Sequence, residues 1–75
     1  MYKAQYFVEN HNGGFWCACN SDKFVDRDGE YINLFKTLNN AIEVAKEWKA
    51  SFGGKVRIVK WMKGKRYWKV LGNEI

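Results

Sequence analysis

A chain of 75 residues has room for a single domain, residues 1–75, with one modest core, because a chain of this length buries only about 60–65% of its unfolded surface. Hydrophobic residues make up 47% of the sequence and aromatic residues 17%, which supplies a core and excludes a disordered chain. The longest apolar run, residues 15–19, is too short for a membrane span or a signal-peptide core, so we expect a cytoplasmic protein without membrane association.

The first half of the chain predicts short β-strands. Residues 2–9 alternate in the period of a strand, the Asn/Gly-rich residues 10–14 predict a turn, and residues 15–20 predict the second strand. Asp28-Gly29 predicts another turn, which leads into an optional third strand at residues 30–35. One side of the first strand carries Tyr2, Ala4, Tyr6 and Val8, and the other carries Lys3, Gln5, Phe7 and Glu9.

The segment after Thr37 predicts a helix that covers one face of the sheet. Thr37 is a typical N-cap, and Gly53-Gly54 is a typical stop. Glu43 and Glu47 point away from the apolar side. That apolar side consists of Leu38, Ala41, Ile42, Ala45, Trp48 and Phe52.

Residues 55–62 and 66–71 predict a C-terminal hairpin, closed by a two-residue type II′ turn at Gly64-Lys65. This turn pairs Lys63 with Arg66, Trp61 with Trp68, and Ile58 with Leu71. One face, expected to pack on the helix, carries Val56, Ile58, Lys60, Met62, Tyr67, Lys69 and Leu71. The other, expected to face solvent, carries Arg57, Val59, Trp61, Lys63, Arg66, Trp68 and Val70. A slip of one residue would exchange the two faces.

These elements predict the α+β class. The predicted fold is a single, mainly antiparallel sheet of four to five strands with one helix packed on one face, in the order ββ(β)αββ.

The basic residues are concentrated in the hairpin. Residues 55–71 contain seven of the thirteen Lys and Arg residues and no acidic residue, whereas residues 1–54 contain six basic and seven acidic residues. This asymmetry indicates a polyanionic partner, either nucleic acid or an acidic protein surface. Cations would neutralise phosphates, and aromatic rings would stack on bases. The candidate binding residues are Arg57, Lys60, Trp61, Lys63, Lys65, Arg66, Trp68 and Lys69.

A different interpretation of the same hairpin requires no ligand. The two tryptophans would pair across the strands, and the lysines would prevent edge-to-edge aggregation.

No metal site is expected. His11, Cys17 and Cys19 are only three candidate ligands without C-x-x-C spacing, so we expect the thiols to pack as small buried hydrophobic groups.

The carboxylates of residues 26–30 have a spacing similar to that of a calcium loop. Because the glycine is misplaced and no Glu follows at the twelfth position, we expect a solvated turn at Asp26, Asp28 and Glu30.

No catalytic site and no cofactor are expected either. His11 lies in a turn without a fixed carboxylate partner, and neither Ser21 nor Ser51 has a plausible base nearby. The sequence also contains no phosphate-binding glycine motif. We therefore expect a protein that is not an enzyme.

Residues 14–60 carry a pattern that is common in small bacterial and phage domains: a G-G-aromatic strand, FKTLNNAIEVAK, and GGKVRIV. The three strands and the F-K-T helix start resemble the arm-type DNA-binding domains of phage integrases, which lack the strand pair after the helix. Over about the last 45 residues, the size, the sheet-plus-helix layout and the Lys- and aromatic-rich hairpin resemble small phage anti-CRISPR proteins that block type I effector complexes. The matching positions Phe35, Thr37, Ala41, Ala45 and Gly53-Gly54 are packing and capping positions, so they support the fold.

The second resemblance implies a phage or mobile-element protein that inhibits a host CRISPR-Cas effector complex, or another nucleic-acid-handling protein, through the hairpin. Such a protein would work in the cytoplasm of the bacterial host. Two alternatives are a domain that binds DNA or RNA directly and a structural module that oligomerises through an edge strand. We expect a monomer or a weak homodimer.

Overall fold

The computed structural model describes residues 1–72, which form four strands and one helix. In chain order these are β1 (Tyr2–Val8), β2 (Phe15–Ala18), α1 (Leu38–Phe52), β3 (Val56–Met62) and β4 (Tyr67–Gly72). The strands form one antiparallel sheet in the spatial order β2-β1-β3-β4. The predicted α+β class and the order ββαββ are therefore confirmed. Within the described residues, no helix has the length and apolar character that crossing a membrane requires.

The optional third strand does not form. In its place, the loop between β2 and α1 makes two isolated bridges, from Val25 to Tyr31 and from Tyr2 to Phe35. The Phe35 side chain is only 2% exposed, and its backbone exchanges two hydrogen bonds of 2.8 Å with Tyr2. Burial of this one large side chain fixes the end of the loop, so a continuous strand is not needed there.

The helix α1 lies against β1 and β3 on one face of the sheet. Thr37 is the N-cap as predicted, and its Oγ1 accepts a hydrogen bond from the Asn40 amide at 3.2 Å. The Gly53 amide donates to the Lys49 carbonyl at 2.8 Å and ends the helix. The core between helix and sheet contains Ala4, Cys19, Phe35, Ala41, Val44, Ala45, Val56 and Ile58.

The buried stripe of the helix is narrower than predicted. Ala41 and Ala45 are fully buried as expected, and Val44, which was not predicted to face the core, is buried between them. Leu38 and Phe52, at the two ends of the helix, are 38% and 65% exposed. The small side chains at the middle of the helix let it approach the sheet closely, so the central turns are buried most deeply.

The hairpin register is confirmed near the turn and wrong at the other end. Trp61 pairs with Trp68, as predicted. A bulge between Ile58 and Val59 then shifts the strands, so that Ile58 pairs with Gly72 and not with Leu71. The extra residue in β4 absorbs the shift, as is usual at a β-bulge.

The turn of the hairpin is also longer than predicted. Residues 63–66 form a four-residue loop, so Lys63 and Arg66 do not pair as strand residues. The Met62 carbonyl accepts hydrogen bonds from the amides of Lys65 and Arg66 at 3.1 and 3.0 Å. Gly64 and Arg66 both have left-handed backbones, with φ of 92° and 57°, which this loop needs in order to close.

Candidate functional site

The sheet has one face that points away from the helix, and we call it the open face. Strand alternation and the pairing registers define it. The predicted orientation of the hairpin is confirmed for Val56 and Ile58, which are buried under the helix at 3% exposure each. It is wrong for Leu71, which the bulge leaves 41% exposed, and Val59 on the opposite face is 2% exposed although it was predicted to face solvent. The open face carries Lys3, Gln5, Phe7, Trp16, Ala18, Lys55, Arg57, Val59, Trp61, Trp68 and Val70.

Two tryptophans form an indole pair at the β4 side of the open face. Trp61 and Trp68 are directly opposite each other, with ring centroids 5.4 Å apart and an angle of 56° between the ring planes. The Lys3 ammonium lies 4.8 Å from the centroid of a Trp68 ring. At this distance a cation is attracted by the π-electrons of the indole.

Arg57 occupies the middle of the open face and is held from two sides. Its guanidinium carbon lies 4.1 Å from the centroid of a Trp16 ring. Its Nε donates a hydrogen bond of 2.7 Å to Gln5 Oε1. Burial lowers the pKa of Arg57 from its usual value, although a guanidinium remains charged at neutral pH. The charge is therefore fixed in place, and within the described residues the terminal amino groups remain as donors for a partner.

A third contact between a cation and a ring lies toward the β2 side. The Phe7 and Trp16 rings meet edge to face, with centroids 5.0 Å apart. The Lys55 ammonium lies 5.8 Å from the Phe7 centroid. Positive charges and aromatic rings therefore alternate across the whole open face, from β4 to β2.

Most acidic residues of the described chain lie away from the open face, and the exception is Glu9, which directly follows β1 beside Phe7 and Lys55. In the open-face set, which falls entirely within residues 1–72, no residue is acidic. On the helix, Glu43 and Glu47 form ion pairs with Lys23 at 3.6 and 3.5 Å. The negative charge of Glu47, and to a smaller extent that of Glu43, raises the pKa of Lys23. The loop between β2 and α1 carries Asp22, Asp26, Asp28 and Glu30. The open face is thus basic, whereas the helix and the loop carry both acidic and basic residues.

The predicted binding residues are divided among three places. Three of them lie on the open face: Arg57, Trp61 and Trp68. Three exposed cations form what we call the basic turn: Lys63, Lys65 and Arg66. The basic turn adjoins the open face, since only the pair Met62–Tyr67 separates it from the indole pair.

Lys60 and Lys69 do not belong to the same surface as the other predicted residues. They pair directly across β3 and β4, on the side of the sheet that carries the helix. The Lys60 ammonium lies 5.8 Å from the centroid of the Tyr2 ring. The predicted binding residues therefore lie on both faces of the hairpin, because successive side chains of a strand, such as those of Lys60 and Trp61, point to opposite faces.

Several open-face residues were missed because they lie on β1 and β2. The alternation of residues 2–9 placed Lys3, Gln5, Phe7 and Glu9 on the side away from Ala4, but nothing in the sequence indicated that this side adjoins Arg57. The sheet order supplies that information, since β1 lies between β2 and β3.

The other clusters of polar residues have structural roles. Cys19 is fully buried. Its pKa is raised to about 12, mainly by this burial and to a smaller extent by the charge of the nearby Cys17. His11 is exposed in the turn after β1. Among residues 1–72, no three His, Cys, Asp or Glu side chains are grouped so that they could hold a metal ion.

Two loop residues fasten the loop and shape its turn. Ser21, which was expected to have no base nearby, donates a hydrogen bond to Glu47 Oε1 at 3.1 Å and ties the loop to the helix. Asp26 Oδ1 accepts hydrogen bonds from the amides of Asp28 and Glu30 at 2.9 and 3.0 Å, which makes a compact exposed turn.

No protein-family model matches this chain, and no curated protein or solved structure is significantly similar to it.

Proposed function

We propose that this chain is a small non-enzymatic binding protein that contacts nucleic acid with its open face and its basic turn. The observation that carries the proposal is the alternation of three cation–ring contacts across an open face whose strand residues, within the described chain, include no acidic residue. Nucleic acid is the partner that uses both components, because phosphates require cations and bases stack on flat rings.

The cations are arranged so that they can follow a phosphate backbone. Lys3, Arg57 and Lys55 lie over successive rings of the open face, and the basic turn adds three more charges at one end. Binding of a polyanion to such a row releases condensed counterions, which makes the affinity strongly dependent on salt. The cytoplasm is the compartment in which we place this binding.

The first test is the salt dependence of binding. The dissociation constant of a fluorescein-labelled oligonucleotide, as a single strand and as a duplex, is measured by fluorescence anisotropy between about 50 and 200 mM salt. Neutralisation of the basic turn by Lys63→Gln, Lys65→Gln and Arg66→Gln should reduce the log–log slope by about 2 on a single strand or by about 2.7 on a duplex, since each phosphate contact contributes about 0.7 or 0.9.

A matched variant separates local contacts from net charge. Arg27→Gln, Lys36→Gln and Lys46→Gln also remove three charges, but from exposed positions on the loop and the helix. This control should retain nearly the whole slope. Equal reductions in the two variants, or the absence of binding at low salt, would refute the proposal.

A second candidate function is inhibition of a host nucleic-acid-handling complex, of the anti-CRISPR type, by a phage or mobile-element protein. The observation that favours it is the position of Lys60 and Lys69, which make the hairpin basic on the helix side as well. A hairpin that is positive on both faces is suited to an acidic groove of a protein complex, which can enclose it.

Co-purification tests this second function. The tagged protein should retain a type I Cas effector complex from a host lysate, and charge reversal by Arg57→Glu, Lys63→Glu and Arg66→Glu should abolish the association. The reversal Arg27→Glu, Lys36→Glu and Lys46→Glu is the control. Retention of the complex by the first variant would exclude the hairpin as its binding surface.

A further inference from the structure

An apolar recess lies at the end of the open face, beside the basic turn. Met1, Leu34, Trp61 and Trp68 line this recess, whose volume is about 290 Å³. Met1 is held there by its carbonyl, which accepts a hydrogen bond from the Trp61 amide at 3.0 Å. Two of the four lining side chains are therefore indoles, and the other two are flexible aliphatic chains.

We propose that this recess holds one unpaired nucleobase, so that the protein selects single-stranded over double-stranded nucleic acid; this inference rests on the proposed function. The volume is near the lower limit of small-molecule sites, which suits a single ring system better than a peptide segment. Every base has a π-face that stacks on an aromatic side chain, and the tilted indole pair presents such surfaces.

The charges around the recess favour a base over an apolar side chain of a protein. The Lys3 ammonium lies 4.8 Å from the centroid of a Trp68 ring. On the turn side of the indole pair, only the pair Met62–Tyr67 separates it from the basic turn. A nucleotide whose base enters the recess therefore has cations on both sides for its flanking phosphates. Apart from the two indole N–H donors, the lining side chains are apolar and present no groups that read a base edge, so we expect little sequence preference.

A duplex cannot use the recess in the same way. Its bases are stacked on each other and paired, and extruding one of them costs a few kcal/mol. Single strands and unpaired regions do not have this cost, so the recess converts general polyanion binding into a preference for unpaired nucleotides.

The test compares three labelled probes of equal length at one salt concentration: oligothymidylate, an abasic strand with the same phosphates, and a duplex. The abasic strand should bind about five- to 150-fold more weakly than oligothymidylate, the factor that corresponds to about 1–3 kcal/mol of base stacking. Oligothymidylate should also quench tryptophan fluorescence, and the abasic strand should not. Oligouridylate and oligodeoxyuridylate, which differ only in the sugar, are titrated in parallel: tighter binding of the first indicates RNA, and tighter binding of the second indicates DNA.

Variants locate the effect at the recess. Trp68→Leu should remove the preference for oligothymidylate over the abasic strand, whereas Trp16→Leu should keep it, because the Arg57 guanidinium already lies against the Trp16 ring. Leu34→Gln replaces an apolar side chain of the recess by a polar one. Because Leu34 is exposed, the fold should tolerate this change, and only base-dependent binding should become weaker. Leu38→Gln is its control, since the two leucines are 39% and 38% exposed.

The outcomes distinguish this inference from the proposed function. Equal affinity for all three probes would overturn the recess as a base site and leave general polyanion binding in place. Binding to none of them at low salt would overturn both. Loss of the preference in both Trp68→Leu and Trp16→Leu would place base stacking elsewhere on the open face and would also overturn the inference.

Discussion

Replacement of Val59 by alanine tests whether the open face is an ordered layer of side chains. Val59 lies on the face opposite the helix, yet it is only 2% exposed, and its neighbours across the sheet are Lys3 and Val70. The substitution removes two buried methyl groups, which lowers the unfolding free energy by about 1.6 kcal/mol at about 0.8 kcal/mol each. The cavity left behind raises the expected loss of unfolding free energy to about 2–3 kcal/mol. In a domain of this size, a loss of 2 kcal/mol lowers Tm by about 8–16 °C.

The matched control for this substitution is Val70→Ala. Val70 pairs with Val59 on the next strand and has the same side chain, but it is 42% exposed. Its loss should cost less than about 1 kcal/mol, and the difference in strand propensity between valine and alanine applies to both variants. Urea denaturation followed by circular dichroism gives both values. Equal losses for the two variants would mean that Val59 is not covered, and that the cations and indoles around it are not held in place.

Three further predictions concern the fold. Gly14→Ala should prevent stable folding, because Gly14 has φ of 126° and a Cβ would overlap the Val8 carbonyl oxygen; a thermal melt within a few degrees of wild type would contradict this. Thr37→Ala should lower the unfolding free energy by about 1 kcal/mol. Thr37→Ser keeps the hydroxyl that accepts the capping hydrogen bond, so it should lower the unfolding free energy by much less; equal losses would contradict the role of the cap. Cys19, with its pKa raised to about 12 by burial, should resist Ellman's reagent at about pH 8 in the folded protein and react fully in urea; rapid reaction of both thiols in the native state would contradict its burial.

The helix and the faces of the strands were predictable because they depend on local rules. Thr37 and Gly53 bound the helix by capping chemistry that needs only neighbouring residues. The pairing of Trp61 with Trp68 likewise follows from the positions of the two strands around one short turn. In each case the residues that decide the structure are close in sequence.

The details of the turn and the bulge were not predictable from the same rules. A glycine at position 64 indicates a left-handed backbone, but Arg66 adopts φ of 57° without any such signal. That conformation makes the loop four residues long. The bulge at Ile58 and Val59 depends on how β3 fits between β1 and β4, which no local pattern encodes.

The candidate site was found only in part, because its charges are clustered in sequence and its rings are not. The Lys- and Arg-rich hairpin was visible directly, which led to Arg57, Trp61 and Trp68. Arg57 contacts Trp16 across the whole width of β1, a contact that depends on the order β2-β1-β3-β4. Sheet order is a non-local property, so the sequence predicted three of the eleven open-face residues as binding residues and did not connect β1 and β2 with them.

In the proposed function, the open-face side chains that stabilise the sheet also bind nucleic acid, and the small size of the chain explains this overlap. A single helix of 15 residues contacts β1 and β3 on one face of the sheet, so the open face has to be covered by its own side chains. Long cations that lie over aromatic rings provide this cover, each contact contributing about 0.5–1 kcal/mol at an exposed site. A hydrogen bond between a cation and a charged group contributes about 1.5–3 kcal/mol. In the proposed function, a phosphate therefore draws Lys3 or Lys55 from its ring at little cost and uncovers that ring for a base.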